Sequence, residues 1–410
     1  MPQVDPGWHL EFESHFPQSK RTTLANPQMI ALSMGNGILH EEECTHRESI
    51  LLVKINIGDG KATQVAKNGK PTKRKTLDDV AELARVSPIT VSRALRNPAI
   101  VSSELRQRIE SAVAKLGYFP NLAASRLASS RSHTVGVIVP TLYNVIFAEY
   151  LQAIHVEFLS AGFQVVVVNS RYSTEEEDEA VRTLLGQRVE AIIIVGTTHT
   201  AMTRRLLQRS RIPVIETFEL TDDPINVNIG LSQTKAGYDA TRFLIEMGNQ
   251  RIGFGMGHHD IRASARLTGY KQAMEEANLS WEGLLISNPQ QSTITLGSTL
   301  MDGFVAMPNR PDAIFFIDDN LALGASMKCR QLNRRVPNEI SILGFHDLEF
   351  SAYASPSLSS VATHRYELGR LAAATAISMI KDGVLKQTKI DIGYRIVARQ
   401  STLNRHLAKA

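Results

Sequence analysis

The sequence has little cysteine and no long hydrophobic run, and each absence excludes a class of protein. Only Cys44 and Cys329 occur in 410 residues, far apart and without metal-ligand spacing. This excludes a disulfide-stapled secreted fold and a zinc finger, and it favours a reducing, cytoplasmic setting. No apolar run approaches the roughly 18 residues of a membrane span, so no membrane partner is expected. The first residues, MPQVDPGWHLEFESHF, lack the basic start and apolar core of a secretory signal.

The length predicts two or three domains, and composition separates the first 70 residues from the rest. Residues 1–70 mix proline, glycine and charge without a steady period, so we predict a disordered extension there. A further hypothesis is that translation begins nearer Val65 than Met1. Sequencing the amino terminus of the native protein tests it, and a native chain that begins at Met1 rules it out.

The positive charge of the chain is concentrated in one segment. Between residues 71 and 131, eleven Lys or Arg side chains face five acids, although the whole chain carries only +4. The remainder is therefore slightly acidic. A solvated basic face explains any single lysine or arginine, but the segregation indicates attraction to nucleic-acid phosphates.

The stretch TLDDVAELARVSPITVSRAL, Thr76–Leu95, has the pattern of two short helices joined by a turn at Arg85 and Val86. Ser87 is a good N-cap for the second helix, and Pro88 suits its first position because proline lacks the N–H that would stay unpaired there. The periodicity points four residues of this helix outward: Ile89, Thr90, Ser92 and Arg93. A helical hairpin inside a larger core would show the same pattern. The sequence after Ser102 predicts a third helix, which would complete a small core and leave the second helix free to enter a major groove.

From Thr134 onward, the sequence pattern predicts apolar strands that alternate with amphipathic helices. The predicted strands are TVGVIVP, GFQVVVVNS, VEAIIIVG, IPVIETF, INVNIG, RIGFGMG, DAIFFID and ISILGF. Buried β-branched runs alternating with helices predict parallel sheets covered on both faces. About 275 residues exceed one such unit, so we expect two lobes with a cleft between them.

The strings VAELARVSPITVSRALRN and VSSELRQRIESAVAKLGYFPN closely resemble the DNA-binding module of the lactose/galactose-repressor family. The resemblance covers residues 74–405. It implies an all-α helix-turn-helix domain followed by a hinge helix and an α/β, two-lobed, periplasmic-binding-protein-like core. The implied limits are 71–118 for the helix-turn-helix domain, 119–131 for the hinge, 132–405 for the core, 132–230 with 362–389 for lobe 1, and 231–361 with 390–405 for lobe 2.

The same resemblance implies a homodimeric regulator that binds double-stranded operator DNA and a small sugar or sugar-acid effector. It implies neither a cofactor nor catalytic activity. In the family, hinge helices insert leucines into the minor groove, and Leu127 occupies the matching position. The residues predicted to bind DNA are Thr76, Ser87, Pro88, Ile89, Thr90, Ser92, Arg93, Asn97, Tyr118, Asn121, Ala124 and Leu127.

Ligands of open parallel sheets bind beyond the carboxyl ends of the strands, which locates the candidate effector residues. They are Tyr143, Asn144, Phe147, Thr198, His199, Glu216, Arg266, Asp318 and His346. Arg266 stands where the family has its effector-binding arginine. Many sugar-binding members have Asn and Asp where this chain has Asp318 and His346. Together with THT at 198–200 and Glu216, these departures resemble the gluconate-operon repressors and predict a sugar acid whose carboxylate binds Arg266.

Two other functions fit parts of the sequence. GFGMG at 253–257 follows a strand as a dinucleotide loop does, but the third glycine of that motif is replaced by His258. A periplasmic sugar-binding protein would have the same core. The missing signal peptide and the basic three-helix module favour the DNA-binding regulator over both.

Overall fold

The computed structural model describes residues 75–119, 131–258, 260–383 and 387–402. Its helices are α1 Leu77–Ala84, α2 Pro88–Arg96, α3 Ser103–Leu116, α4 Ile146–Ser160, α5 Thr174–Gly186, α6 Ala201–Ser210, α7 Gln233–Glu246, α8 Ile261–Glu276, α9 Ile294–Ala306, α10 Asp319–Gln331, α11 Glu349–Tyr353 and α12 Arg365–Asp382. Its strands are β1 Thr134–Val139, β2 Gln164–Asn169, β3 Ile192–Val195, β4 Val214–Glu219, β5 Val227–Leu231, β6 Ile252–Met256, β7 Leu285–Ser287, β8 Ala313–Phe316, β9 Ser341–His346, β10 Ser359–Ala362, β11 Lys389–Asp391 and β12 Arg395–Val397. None of the helices in these ranges combines the length and apolar character needed to cross a membrane.

The first three helices form a small domain with its own apolar core. The Ser87 hydroxyl accepts a hydrogen bond from the Thr90 amide at 3.2 Å and so caps α2, while Pro88 occupies the first helical position. Gly117 ends α3 in a left-handed conformation with φ +58°. The buried side chains include Val80, Ala84, Val91, Ala94 and Ile109. The inward and outward faces of α2 are therefore those that its periodicity predicts.

The remaining described elements build two six-stranded sheets, and the chain passes between them three times. The first sheet has the order β11-β5-β4-β3-β1-β2, and the second has the order β12-β10-β9-β8-β6-β7. We call the body around the first sheet lobe 1 and the body around the second lobe 2. The crossings follow β5, follow β10 and join β11 to β12. Among the described strands, every pairing is parallel except that of β10 with β12, so the predicted parallel sheets are confirmed with one antiparallel edge.

Lobe 1 buries both faces of its sheet. Adjacent residues of β1, Val137 and Ile138, are fully buried in two different apolar clusters, because successive side chains of a strand point to opposite faces. One cluster contains Tyr150 of α4 and Leu368 of α12, and the other contains Leu184 of α5. This explains why the strands read as continuous apolar runs rather than as alternating ones.

Lobe 2 has a core rich in phenylalanine, and this core accounts for the first two glycines of GFGMG. A Cβ atom on Gly253 would lie 2.8 Å from the ring of Phe304, and one on Gly255 would lie 2.5 Å from the ring of Phe316. Both glycines belong to β6 and are buried within the sheet. They make room for aromatic side chains, so a dinucleotide-binding role has no support here.

Candidate functional site

The outer face of α2 is the candidate DNA-binding surface. Ile89 is 66% exposed, although isoleucine is usually buried, and Pro88 and Arg93 are also exposed. Thr90 and Ser92 lie beside them and are partly exposed. The face therefore presents one cation, two hydroxyl groups and an apolar tip.

The other residues predicted to bind DNA have different surroundings. Thr76 and Asn97 are exposed at the ends of α1 and α2, and the Asn97 side chain accepts a hydrogen bond from the Ala99 amide at 3.3 Å. The Ser87 side chain is occupied as the cap of α2. Tyr118 belongs to the buried core of the three helices rather than to their outer surface. Three further predicted residues lie outside the described ranges: Asn121, Ala124 and Leu127.

A cleft of about 550 Å³, a volume that includes its solvent-open mouth, lies at the carboxyl ends of strands from both lobes. Lobe 1 supplies residues that follow β1 and β2, and lobe 2 supplies the start of α8 and the ends of β6, β8 and β9. The lining residues are Thr141, Tyr143, Asn144, Ile146, Tyr172, His258, Asp260, Arg262, Ala263, Arg266, Gln291, Ser292, Ile317, Asp318 and His346. This is the position that the rule for open parallel sheets predicts.

Arg266 is a buried cation whose described hydrogen bonds all go to neutral oxygens. Its Nε donates to the Gln233 side-chain oxygen at 2.8 Å, and its Nη1 donates to the Ile317 carbonyl at 2.7 Å. The guanidinium carbon lies 3.9 Å from the centre of the Phe345 ring, which is a cation–π contact. Arg266 forms no ion pair with any residue in the described ranges. Burial lowers the pKa of Arg266 to about 10, so the group stays charged at neutral pH.

Arg262, one turn earlier on α8, is neutralised by its neighbours. Its Nη2 lies 2.6 Å from Asp260 Oδ2, and its Nη1 lies 3.9 Å from Glu219 Oε2 at the end of β4 in lobe 1. Burial alone would raise the pKa of Asp260, but the Arg262 charge and a hydrogen bond from the Ala263 amide hold it below its usual range. Asp260 also caps α8 through that amide bond at 2.8 Å.

Asp318 and His346 complete the lobe 2 side of the cleft. Asp318 caps α10 by accepting a hydrogen bond from the Leu321 amide at 3.0 Å, and burial raises the pKa of its carboxyl group. His346 is buried with its Nδ1 3.1 Å from the Thr363 hydroxyl. Burial, reinforced by the charges of nearby arginines, lowers the pKa of His346 well below 6.5. This imidazole is therefore neutral and can donate or accept one hydrogen bond without adding charge.

The structure brings together five of the nine predicted effector residues, namely Tyr143, Asn144, Arg266, Asp318 and His346. The other four do not line this cleft in the structure. Phe147 is 1% exposed, and its ring packs edge-on against Phe218 in the core of lobe 1. Thr198 is exposed in the loop before α6 and does not line the cleft.

His199 and Glu216 form a buried acid–histidine–acid cluster with Glu177 rather than a ligand contact. His199 Nδ1 lies 2.6 Å from Glu177 Oε1, and its Nε2 lies 3.4 Å from Glu216 Oε1. Glu216 also accepts a hydrogen bond from the Ile225 amide at 2.6 Å. Burial alone would lower the pKa of His199, but the two carboxylates raise it to about 9.

Several cleft residues were missed from the sequence. Tyr172 follows β2, and burial raises its pKa to about 12; its ring lies 4.5 Å from that of His258, which follows β6. The strand-end rule would have identified both, since each comes directly after a predicted strand. Asp260 carries a helix-cap signal but no strand-end signal, and Arg262 lies within the first turn of α8 and carries neither.

Comparisons with known proteins agree with this architecture. Residues 76–121 match the model of bacterial regulatory proteins of the lacI family, and residues 241–402 match that of the periplasmic binding protein-like domain. The HTH-type transcriptional regulator GntR of Pseudomonas aeruginosa is 37% identical over 341 residues, which cover 83% of this chain and 99% of that protein. The HTH-type transcriptional regulator IdnR of Escherichia coli is 35% identical over 326 residues, which cover 79% of this chain and 97% of that protein.

A solved structure supports the same relationship. The crystal structure of the lac repressor dimer bound to operator and the anti-inducer ONPF has a TM-score of 0.70 and 26% identity, with 81% of this chain and 100% of that chain covered. The basic three-helix domain, the two-lobed core and the relatives that match along nearly their full length lead to one conclusion. The chain belongs to the lacI family of bacterial regulatory proteins and is a DNA-binding transcriptional regulator.

Proposed function

We propose that the chain is a homodimeric repressor whose operator affinity is controlled by a sugar acid, such as gluconate, bound in the cleft. The observation that carries this proposal is Arg266, a buried guanidinium without an ion pair among the described residues. A buried charge without a partner is costly, and a ligand carboxylate would supply that partner. A neutral sugar would leave the cost in place.

The rest of the cleft suits the polyhydroxyl chain of such a ligand. Asp318 accepts hydrogen bonds, and the neutral imidazole of His346 can bond to a hydroxyl or to the ligand carboxylate. Of the motifs that resemble the gluconate-operon repressors, only His346 lines the cleft. Glu216 is buried and accepts a hydrogen bond from the Ile225 amide, so it is not part of the proposed ligand contacts.

On the DNA side, we propose that the outer face of α2 enters the major groove. Thr90, Ser92 and Arg93 would position the helix or contact base edges, while Pro88 and Ile89 offer only apolar contacts. A homodimer then requires a near-palindromic operator with half-sites about 10 bp apart. We assign the chain no catalytic activity and place its action in the cytoplasm, where operator DNA is. We propose that the domains have the limits that the sequence predicts.

Isothermal titration of the purified protein with D-gluconate, D-glucose and D-glucitol tests the ligand class. D-Glucitol is the neutral polyol with the carbon chain of gluconate, so it isolates the contribution of the carboxylate. We expect gluconate to bind at least about tenfold more tightly than either neutral compound, because only gluconate pairs with Arg266. Equal binding of the three compounds, or no binding of gluconate, would remove the sugar-acid proposal.

A further inference from the structure

Gln233 is a buried residue just outside the lining of the cleft. It is the first residue of α7, directly after the crossing from lobe 1 to lobe 2, and it is 4% exposed. It does not line the cleft. Its side-chain amide is nevertheless the partner of the cleft arginine, since Gln233 Oε1 accepts the hydrogen bond from Arg266 Nε at 2.8 Å.

The other end of the same amide contacts lobe 1. Gln233 Nε2 donates a hydrogen bond to the Phe218 carbonyl at 3.0 Å, near the end of β4. Both hydrogen bonds are buried, which fixes the orientation of the amide: its oxygen faces Arg266 and its nitrogen faces the carbonyl. The guanidinium is therefore held in place from behind, with the Ile317 carbonyl as its second fixed partner.

The chemical type of this partner decides the charge of the site. A carboxylate at this position would form an ion pair with Arg266, as Asp260 does with Arg262 at 2.6 Å. The amide has nearly the same shape and accepts the same hydrogen bond, but it carries no charge. Arg266 consequently keeps its positive charge without an ion pair in the described ranges, and its Nη2 is bonded to no residue there. Asp260 and Asp318 act on this charge only from beyond ion-pair distance.

We infer that Gln233 is a positioning residue that sets the anion selectivity of the cleft. It holds the Arg266 guanidinium in place and leaves the charge of that group available to a ligand carboxylate. This inference rests on the proposed function and extends it to a residue that does not touch the ligand. Gln233 acts on the ligand through its hydrogen bond with Arg266.

The test is Gln233→Glu, measured by isothermal titration with D-gluconate and D-glucitol. The introduced carboxyl group would neutralise Arg266 from behind and compete with the ligand carboxylate. We expect gluconate affinity to fall by roughly 30-fold or more, with a much smaller change for glucitol. Gln331→Glu is the matched control, because Gln331 is exposed at the end of α10 in the same lobe. It should leave gluconate affinity within about twofold of the original protein.

A second variant covers the case in which Gln233→Glu does not fold, as judged by circular dichroism and thermal melting. Gln233→Met removes both hydrogen bonds without adding charge. It should weaken gluconate binding by about fivefold or more, because the Arg266 guanidinium is no longer held by the side chain at position 233. Gluconate binding within about twofold of the original in every folded variant at Gln233 would overturn the inference. Absence of gluconate binding by the original protein would instead refute the proposed function, so the two failures are distinguishable.

Discussion

Arg262 and Arg266 lie one helical turn apart on α8, yet their charges are balanced differently. Arg262 is paired with Asp260 and lies close to Glu219, whereas Arg266 bonds only neutral oxygens. A ligand anion would gain little from the first arginine and much from the second. At the scale of single residues, this difference in partners gives the cleft its proposed preference.

His199 provides a prediction about pH and stability. Its pKa is raised from 6.5 to about 9 by Glu177 and Glu216, so between these values only the folded chain holds the proton. The contribution of this proton to the free energy of unfolding is complete below pH 6.5 and is lost as the pH rises through 9. The shift corresponds to about 3 kcal/mol. Urea unfolding at pH 6 to 10 should show this decline in the original protein and not in His199→Gln.

His155→Gln is the control for that measurement, since His155 is exposed on α4 of the same lobe. Its curve should run parallel to that of the original protein. A His199→Gln curve that is also parallel would show that the buried cluster does not hold the additional proton.

Arg93 provides a prediction about operator binding. It is the exposed cation of the outer face of α2, so Arg93→Ala should weaken operator binding by about 1–3 kcal/mol if it contacts a guanine. Fluorescence anisotropy with a labelled operator measures the loss. Arg182→Ala, an exposed arginine of α5 in lobe 1, should leave the affinity unchanged. Operator affinity that survives Arg93→Ala would mean that α2 does not read the groove as proposed.

The outcome for single residues shows what sequence patterns can and cannot predict. Arg266 and Asp318 were predicted because a family motif or a strand end marks each of them. Glu216 was also predicted, but it lies in the middle of β4, and its carboxylate turns into lobe 1 toward His199. Nothing in the strand pattern shows that a distant histidine neutralises this carboxylate, because that pairing depends on tertiary packing.

At the scale of elements, glycines allow α7 and α8 to pack closely beside the cleft. A Cβ atom on Gly237 of α7 would lie 2.3 Å from the Arg266 carbonyl oxygen, and one on Gly269 of α8 would lie 2.0 Å from the Thr234 carbonyl oxygen. The backbone of Arg266 is thus positioned by a helix contact that tolerates no side chain. The orientation of its guanidinium depends on this contact as well as on its hydrogen bonds.

Gly237→Ala tests this contact. The added methyl group must push α8 away from α7, so we expect a loss of about 1–3 kcal/mol in the free energy of unfolding. Gluconate affinity should fall as well, because Arg266 moves with its backbone. Gly186→Ala is the control, since a Cβ atom at the end of α5 meets nothing within 4 Å. If Gly237→Ala is as stable as the original and binds gluconate equally well, the helix contact does not position Arg266.

The elements themselves were largely predictable. All eight predicted strands are present, because each is an apolar run of a parallel sheet. Seven of them are buried, and β2 is a partly exposed edge strand. The four strands that were missed, β7, β10, β11 and β12, have only three or four residues each. Such short segments carry too little periodicity to be recognised. They pair at positions that are set by the rest of the sheet.

At the scale of the whole molecule, Arg365 links the effector site to lobe 1. It begins α12, which packs in lobe 1, and its Nη2 lies 3.0 Å from Glu149 Oε2 on α4. Its Nη1 donates to the carbonyl of His346, whose φ is +100° at the end of β9 in lobe 2. Leu348, two residues later, is buried in the core of lobe 1. The backbone next to a cleft residue is therefore held by the opposite lobe.

Glu149→Gln tests whether this link transmits effector binding. The Glu149 side chain is 49% exposed, so folding should be preserved while Arg365 loses its charged partner. We expect gluconate affinity to stay within about threefold of the original, whereas the effect of gluconate on operator affinity should shrink by about threefold or more. Glu179→Gln, an exposed acid of α5, should change neither quantity. An unchanged effect of gluconate in Glu149→Gln would exclude Arg365 from the coupling.

The central claim is that effector binding in the cleft changes the affinity of the protein for its operator. One titration tests this claim most directly. A labelled palindromic promoter fragment is titrated with the purified protein by fluorescence anisotropy, with and without saturating D-gluconate, beside a random duplex at physiological ionic strength. We predict tighter binding of the palindrome than of the random duplex, and a weakening by gluconate within the roughly 5- to 150-fold range of allosteric coupling. Operator affinity that is the same with and without gluconate, or no preference for the palindrome, would contradict the account.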